Sequence, residues 1–298
     1  MARVDTRTAV ANELIAATRT LSAAGVDSAR ADAEQLAAHV LGVDRGRLLL
    51  ADPSADFVDR FRSLVAARSE RIPLQHLVGT APFGPLTLRV GPGVFIPRPE
   101  TESMLEWAMR EVGTLASQPN PLIVDLCTGS GALAVALARH RPDATVLAID
   151  DSAAALEYAR HNAEGTGVRV LQADVTEPDL LRELDGQVDL VVCNPPYIPV
   201  GAPLEPEVAE HDPHHALFGG ADGMSVIGPV TALAGRWLKA GGGYAVEHDD
   251  TTSAATVDLI RRTALFDEIR PRPDLAGRPR FVTAVRGRGP ATQRKQQS

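Results

Sequence analysis

The chain has 298 residues, 44% of them hydrophobic, and a formal net charge of −8. That length predicts two domains, the apolar content suits a well-cored globular protein, and no apolar run approaches the roughly 20 residues of a membrane span. The acidic balance argues against a chain-wide grip on nucleic acid, which needs a basic stripe; nearly all the positive charge is arginine, with Lys239 and Lys295 the only lysines.

The opening Met1-Ala2-Arg3-Val4-Asp5 leads into charged residues rather than an apolar signal-peptide core. Cys127 and Cys193 make no disulfide framework, so the expected location is cytoplasmic. Residues 6–71 are predicted to be helical. Leu14, Ile15, Thr18 and Leu21 recur at helical spacing and end at Gly25, a C-cap candidate. Asp27 or Ser28 caps a second helix carrying Ala33, Leu36, Ala37, Val40 and Leu41, closed by Gly42. A turn holds 48–50, and Phe57, Phe61, Leu64 and Val65 mark another helix. Residues 1–78 thus read as a small helical bundle for substrate recognition, with His39 and His76 as lone packing or surface residues.

From Gly79 the pattern turns to Gly, Pro and alternating residues, as in Leu86-Thr87-Leu88-Arg89-Val90. That predicts a β-hairpin linker over 79–98. A helix carrying Met104, Leu105, Trp107 and Ala108 starts at Thr101 or Pro99. Strands are predicted at 122–126, 145–149, 168–172, 188–193, 243–247, 266–270 and 280–285. Helices fit between them at 132–139, 153–163, 226–238 and 253–263. Such alternation predicts an α/β catalytic domain over 99–286: a mostly parallel, Rossmann-like sheet of seven strands with an antiparallel last hairpin. Residues 287–298, rich in Arg, Gly and Gln, are expected to be a disordered tail.

Asp125-Leu126-Cys127-Thr128-Gly129-Ser130-Gly131-Ala132 joins the first of these strands to a helix. Gly129, Gly131 and Ala134 satisfy G-x-G-x-x-A, with the acidic Asp150 further on, which taken literally is a dinucleotide fingerprint. Charge decides against a nicotinamide dinucleotide. A carboxylate at Asp125 repels a pyrophosphate and favours a cation such as the α-ammonium of S-adenosylmethionine. Asp150, ending the next strand, is then the candidate for the ribose diol, and Asp174, after the third, for the adenine amino group. Three acids ending successive strands line the carboxyl edge of the sheet, where open α/β sheets bind ligands.

Asn194-Pro195-Pro196-Tyr197 closes the following strand. Neither proline can donate to a ladder, so the strand stops and the Asn194 carboxamide reaches the sheet rim. A rigid amide with neighbouring carbonyls suits the two coplanar donors of an NH2 group.

GVFIPRPETE (93–102), DLCTGSGALAVALA (125–138), CNPPYI (193–198) and ALFGGADGM (216–224) resemble the release-factor glutamine N5-methyltransferase family, and so does the order of helical domain, hairpin and catalytic domain. The resemblance implies a class I S-adenosylmethionine methyltransferase fold, with S-adenosylhomocysteine as product. It implies methyl transfer to the glutamine amide of the Gly-Gly-Gln motif in class 1 peptide chain release factors. Asn194, Pro195, Pro196 and Tyr197 take the catalytic and substrate roles, joined on the substrate side by Phe95, Arg98 and Pro99. Asp125, Thr128, Gly129, Ser130, Gly131, Asp150, Asp174, Val175 and Asn194 hold the cofactor. No metal, membrane or sequence-specific nucleic acid is expected. The chain departs from the family pattern at Glu247-His248-Asp249-Asp250-Thr251-Thr252 and at His211-Asp212-Pro213-His214-His215. Glu247 and His248 are the candidates for a general base, and the histidine spacing matches no familiar metal site. The competing readings are a nucleic-acid amino-methyltransferase, which needs a basic face, and a catalytically silent S-adenosylmethionine-binding module, against which an intact N-P-P-Y speaks.

Overall fold

The computed structural model describes residues 2–115 and 118–288, so all but the first two residues of the expected tail lie outside the described residues. The chain divides into two compact units.

The smaller unit comprises Met1–Thr80, Val90–Pro92 and Leu204–His211. Its helices are α1 (Ala2–Ala23), α2 (Ala29–Leu41), α3 (Phe57–Ser69) and α4 (Leu74–Val78), with a 3₁₀ turn at Arg45–Leu50. Leu14, Leu21, Leu36, Phe57 and Phe61 meet in its core, and the Phe57 and Phe61 rings, one helical turn apart, stack at 5.5 Å. Gly25 and Gly42 both take positive φ after their helices, as C-caps do. Ser28 precedes α2, but its hydroxyl donates to the Asp32 carboxylate instead of accepting from a backbone N–H. Asp32 itself pairs with the Arg68 guanidinium at 2.7 Å, and Arg68, only 5% exposed, also bonds Glu207 at 2.8 Å. A buried guanidinium is tolerable because its fork of donors is met by two carboxylates and the Ile72 carbonyl. Glu207 sits on α8 (Pro206–His211).

The larger unit carries a two-stranded sheet, β1 (Thr80–Phe83) with β2 (Leu86–Arg89), and a seven-stranded one. The latter contains β3 (Leu122–Leu126), β4 (Thr145–Asp150), β5 (Arg169–Gln172), β6 (Val188–Cys193), β7 (Leu238–Glu247), β8 (Phe266–Pro273) and β9 (Pro279–Arg286). Their order is β5-β4-β3-β6-β7-β9-β8, with β9 antiparallel to both neighbours and the other pairs parallel. This is the mostly parallel, Rossmann-like sheet of seven strands with an antiparallel last hairpin that the sequence predicts. Alternate residues serve opposite faces. Ile123, Leu190 and Val192 pack with Met104, Trp107 and Leu137 from α5 (Glu102–Thr114) and α6 (Ala132–His140). Val124, Val191 and Cys193 pack with Ile227, Trp237 and Ile260 from α10 (Ile227–Trp237) and α11 (Ser253–Arg262). The remaining helices are α7 (Ala153–Asn162) and α9 (His214–Leu217).

One strand starts earlier than its sequence predicts: β7 begins at Leu238, not at Gly243. Its Gly-Gly-Gly run has little strand propensity. Glycine is needed there because a Cβ on Gly242 would stand 3.1 Å from the Asp189 carbonyl of β6. Among the described residues, no helix is long and apolar enough to cross a membrane.

Candidate active site

The parallel strands run their carboxyl ends to one edge, and the neighbours of β3 are β4 on one side and β6 on the other. Connections therefore diverge at β3, which is where a crevice opens in such sheets. A cavity of about 320 Å³ lies there, entirely within the larger unit. Asp125, Thr128, Gly129, Ser130, Asp150, Asp174, Val175, Asn194, Pro195, Pro196, Tyr197 and Phe95 all line it. Gly131 lies one step behind this lining, at the start of α6.

Asp125, in β3, is 1% exposed. Its Oδ2 accepts from the Thr128 hydroxyl at 2.5 Å and from the Ala134 amide at 3.1 Å. Its Oδ1 is buried without a hydrogen-bond partner. Burial, opposed by those two bonds and aided by the charge of Asp150, pushes the Asp125 carboxyl up to about 7. A buried oxygen with no donor on a cavity wall fits a cationic group that would bring one. The glycine loop follows from close packing: Gly131 has φ +83°, and a Cβ there would stand 3.4 Å from the Ala159 backbone of α7.

Asp150 closes β4 and accepts from the Gly129 amide at 2.9 Å and the Ser152 amide at 2.9 Å, one bond to each oxygen. Each oxygen keeps a lone pair for a ligand hydroxyl. Burial holds its carboxyl above the usual range. Asp174, more exposed, takes both Thr176 donors on Oδ1, which holds its carboxyl below the usual range. Among the described residues, the cavity lining contains acids but no Lys or Arg. Such a wall repels a pyrophosphate and accommodates a neutral or cationic nucleoside.

Asn194 emerges directly after β6, and its amide nitrogen donates to the Thr101 hydroxyl at 3.2 Å. Thr101 in turn donates to Glu247 Oε2 at 2.8 Å, and the Tyr197 hydroxyl donates to Glu247 Oε1 at 2.8 Å. The backbone after Tyr197 is zipped to the chain at 217–220. The Ile198 amide donates to the Leu217 carbonyl at 2.8 Å, the Gly219 amide to the Ile198 carbonyl at 2.9 Å, and the Val200 amide to the Gly220 carbonyl at 2.9 Å. A Cβ on Gly219 would lie 2.6 Å from the Pro196 carbonyl oxygen, and one on Gly223 only 2.2 Å from that of Tyr197. Gly219 and Gly223 of ALFGGADGM are thus the surface against which the N-P-P-Y backbone is pressed.

Other site candidates fall differently. Phe95 lines the cavity with Pro97 and Thr101, whereas Arg98 and Pro99 do not. The Arg98 guanidinium lies 4.9 Å from the Phe95 ring centre and bonds the buried Asp212 at 2.5 Å. Glu247 and His248 lie outside the cavity lining, and both are 0% exposed. His215 is the member of the His211–His215 stretch that, with Pro213, reaches the cavity. Among the described residues, no group of three His, Cys, Asp or Glu is placed to hold a metal ion. Thr101 is a site residue that sequence reasoning missed. It sits inside FIPRPETE, but its role depends on Glu247, 146 residues away, which no local pattern announces.

Two family models match the chain, the PrmC N-terminal domain over residues 14–79 and the Methyltransferase small domain over residues 112–211. A release factor glutamine methyltransferase of Mycolicibacterium smegmatis is 67% identical, over 91% of this chain and 95% of that protein. One from Mycobacterium tuberculosis is 65% identical, over 89% of this chain and 88% of the other. The chain belongs to the release factor glutamine methyltransferase family. A less similar relative bears another name: a 4-amino-L-phenylalanine/4-methylamino-L-phenylalanine methyltransferase of Streptomyces pristinaespiralis is 43% identical, over 89% of this chain and 91% of that protein. The chain is a methyltransferase, and the family's helical N-terminal domain coincides with the bundle of α1 to α4.

Proposed function

We propose that this chain transfers a methyl group from S-adenosylmethionine to the side-chain amide nitrogen of the glutamine in the Gly-Gly-Gln motif of class 1 peptide chain release factors, in the cytoplasm, and so modulates translation termination. The observation that carries the reading is the Asn194 carboxamide, held by its nitrogen at the cavity wall with its oxygen left to a ligand. Residues 1–78 are the proposed substrate-recognition domain.

Bound S-adenosylmethionine supplies an electrophilic methyl group. Asp125 holds its α-ammonium on the oxygen that lacks a partner, Asp150 its ribose hydroxyls and Asp174 its adenine amino group. Thr128, Gly129, Ser130, Gly131 and Val175 shape that half of the cavity. In the other half the Asn194 oxygen and the Pro195 carbonyl accept the two N–H bonds of the target amide. A carboxamide nitrogen is a poor nucleophile because its lone pair is delocalised. Two acceptors in the amide plane draw density onto that nitrogen and fix its direction, and alignment of this kind is worth several kcal/mol of the barrier. The same carbonyl dipoles favour the positive charge that develops on nitrogen. Tyr197 and Phe95 pack against the flat amide. Neither Glu247 nor His248 lines the cavity, so no base is assigned to either.

Incubation of the protein with isotopically labelled S-adenosylmethionine, a release factor, and nucleic-acid and 4-aminophenylalanine controls tests the reading. Mass spectrometry is expected to place the label on the Gly-Gly-Gln glutamine, and Asn194→Ala is expected to abolish transfer while calorimetry finds donor affinity nearly unchanged. Label on DNA or RNA, or on 4-aminophenylalanine and not on the release factor, would overturn it.

A further inference from the structure

Glu247 ends β7 as a wholly buried carboxylate that the proposed transfer does not use. Its two oxygens take hydroxyl protons from opposite sides of the site, Oε2 from Thr101 and Oε1 from Tyr197, both at 2.8 Å. The protons of this chain of bonds can be counted. Burial pushes the Glu247 carboxyl up to about 7, and in the ionised form that prevails above that pH it only accepts, while each hydroxyl owns one proton. Thr101, having given its proton to Glu247, can only accept from Asn194. The side of the Asn194 carboxamide that meets Thr101 at 3.2 Å is accordingly its NH2 group. The oxygen is what remains for the cavity that Asn194 lines. The opposite rotamer would set the Thr101 lone pairs against the Asn194 oxygen. It would also turn an NH2 group toward the NH2 group of a target amide, donor facing donor.

We propose that Glu247, acting through Thr101, sets the hydrogen-bond polarity of Asn194, so that the carboxamide offers an acceptor and not a donor to the amide substrate. Glu247 is a positioning residue in this scheme: it touches neither substrate nor cofactor. The proposal rests on the reading that Asn194 holds the acceptor amide. The same carboxylate anchors the Tyr197 ring, so one buried charge orients both ends of the N-P-P-Y tetrapeptide. Substitution by glutamine keeps the size and one acceptor but introduces a donor. Facing Thr101, that donor reverses the hydroxyl and frees Asn194 to turn round.

The test is a cycle of variants on the full-length protein, each measured at pH 8, where Glu247 is ionised, for kcat and KM with a release factor and for S-adenosylmethionine affinity by calorimetry. Glu247→Gln and Thr101→Val are each expected to lower kcat by about tenfold to a hundredfold, the scale of a misdirected reacting group. Donor affinity should stay within about twofold, as the Asp125 half of the cavity is untouched. Thr101→Ser, which keeps the hydroxyl, is expected to recover most of the rate lost in Thr101→Val. The double variant Glu247→Gln/Thr101→Val should be no slower than Thr101→Val, because both break one chain of bonds, whereas independent packing defects would multiply. Release-factor affinity in the presence of S-adenosylhomocysteine should fall in parallel, a readout that needs no turnover. Unchanged kcat and acceptor affinity in Thr101→Val, or multiplying losses in the double variant, would overturn the proposal. Should Glu247→Gln fail to fold, the Thr101 pair decides alone. Full activity in Asn194→Ala would instead remove the underlying reading, which separates the two failures.

Discussion

At the scale of single residues, Asp125 makes opposite demands on stability and on binding. Its carboxyl, raised to about 7 by burial, binds a proton in the folded state that the unfolded chain has already released. Between the ordinary carboxylate pKa and about 7 the folded state therefore holds more protons, and stability falls as pH rises through that window. Above it the whole penalty of a buried charge is present. Asp125→Asn removes the charge and can keep both bonds, since Thr128 and Ala134 donate to the same oxygen. The ligand-free variant is expected to be more stable than the wild type at pH 8, by a few kcal/mol at most, with the difference vanishing near pH 4. Its affinity for S-adenosylmethionine should nevertheless drop by about tenfold to a hundredfold, the scale of a charge-assisted hydrogen bond. Thermal melts across pH together with calorimetry check both signs. A variant no more stable than the wild type at pH 8 would show that the Asp125 charge carries no burial cost.

At the scale of elements, the strap from Leu217 to Gly220 governs the N-P-P-Y tetrapeptide more than β6 does. β6 delivers Asn194 and ends, and the following backbone is then held by three amide-to-carbonyl bonds to the strap and by the bare faces of Gly219 and Gly223. Gly223 also has φ +76°, so a side chain is opposed both by its conformation and by the Tyr197 carbonyl. Gly223→Ala is expected to cost about 1–3 kcal/mol of stability and most of the methyl transfer, since the Tyr197 backbone must shift to admit the methyl. Donor affinity should survive, because the acids that line the other half of the cavity lie on or just after β3, β4 and β5. Denaturation and calorimetry on one preparation distinguish this outcome from general unfolding. Equal loss of donor binding and transfer would mean that the strap supports the whole cavity.

At the scale of the whole molecule, the acidic balance and the separate helical unit bear on substrate choice. The proposed NH2-binding cavity does not itself distinguish a glutamine amide from an aromatic amine, and a relative is named for the latter. Discrimination then falls to contacts outside the cavity. Two linked contacts on one large partner raise the effective concentration of the second without a tighter pocket. A short Gly-Gly-Gln peptide is expected to show a KM at least about a hundredfold above that of the folded release factor, with a much smaller change in kcat. Steady-state kinetics on both substrates check this, and equal KM values would confine recognition to the cavity. Deleting the helices is a poor substitute for that comparison. Arg68 and Arg71 pair with Glu207, which lies beyond N-P-P-Y in sequence, so truncation would strip the partners from a half-buried carboxylate.

Local chemistry alone determined the elements, and therefore the fold class. Period-2 and helical apolar patterns, glycines after helices and prolines after a strand act over a few residues, and they located six of the seven main strands to within a few positions. The same locality made Asp125, Asp150, Asp174 and Asn194 legible, because each ends or follows a strand and all strands of a parallel sheet deliver their ends to one edge. The start of β7 escaped because Gly242 answers to the Asp189 backbone of β6, not to its own propensity. Thr101 and the office of Glu247 escaped for a related reason. The two residues stand 146 positions apart, and the hydroxyl between carboxylate and carboxamide exists only once β6 and β7 lie side by side. Which residues form a strand is a question of neighbours in the chain. Which way a carboxamide faces is settled by where the protons of its neighbours in space have already gone.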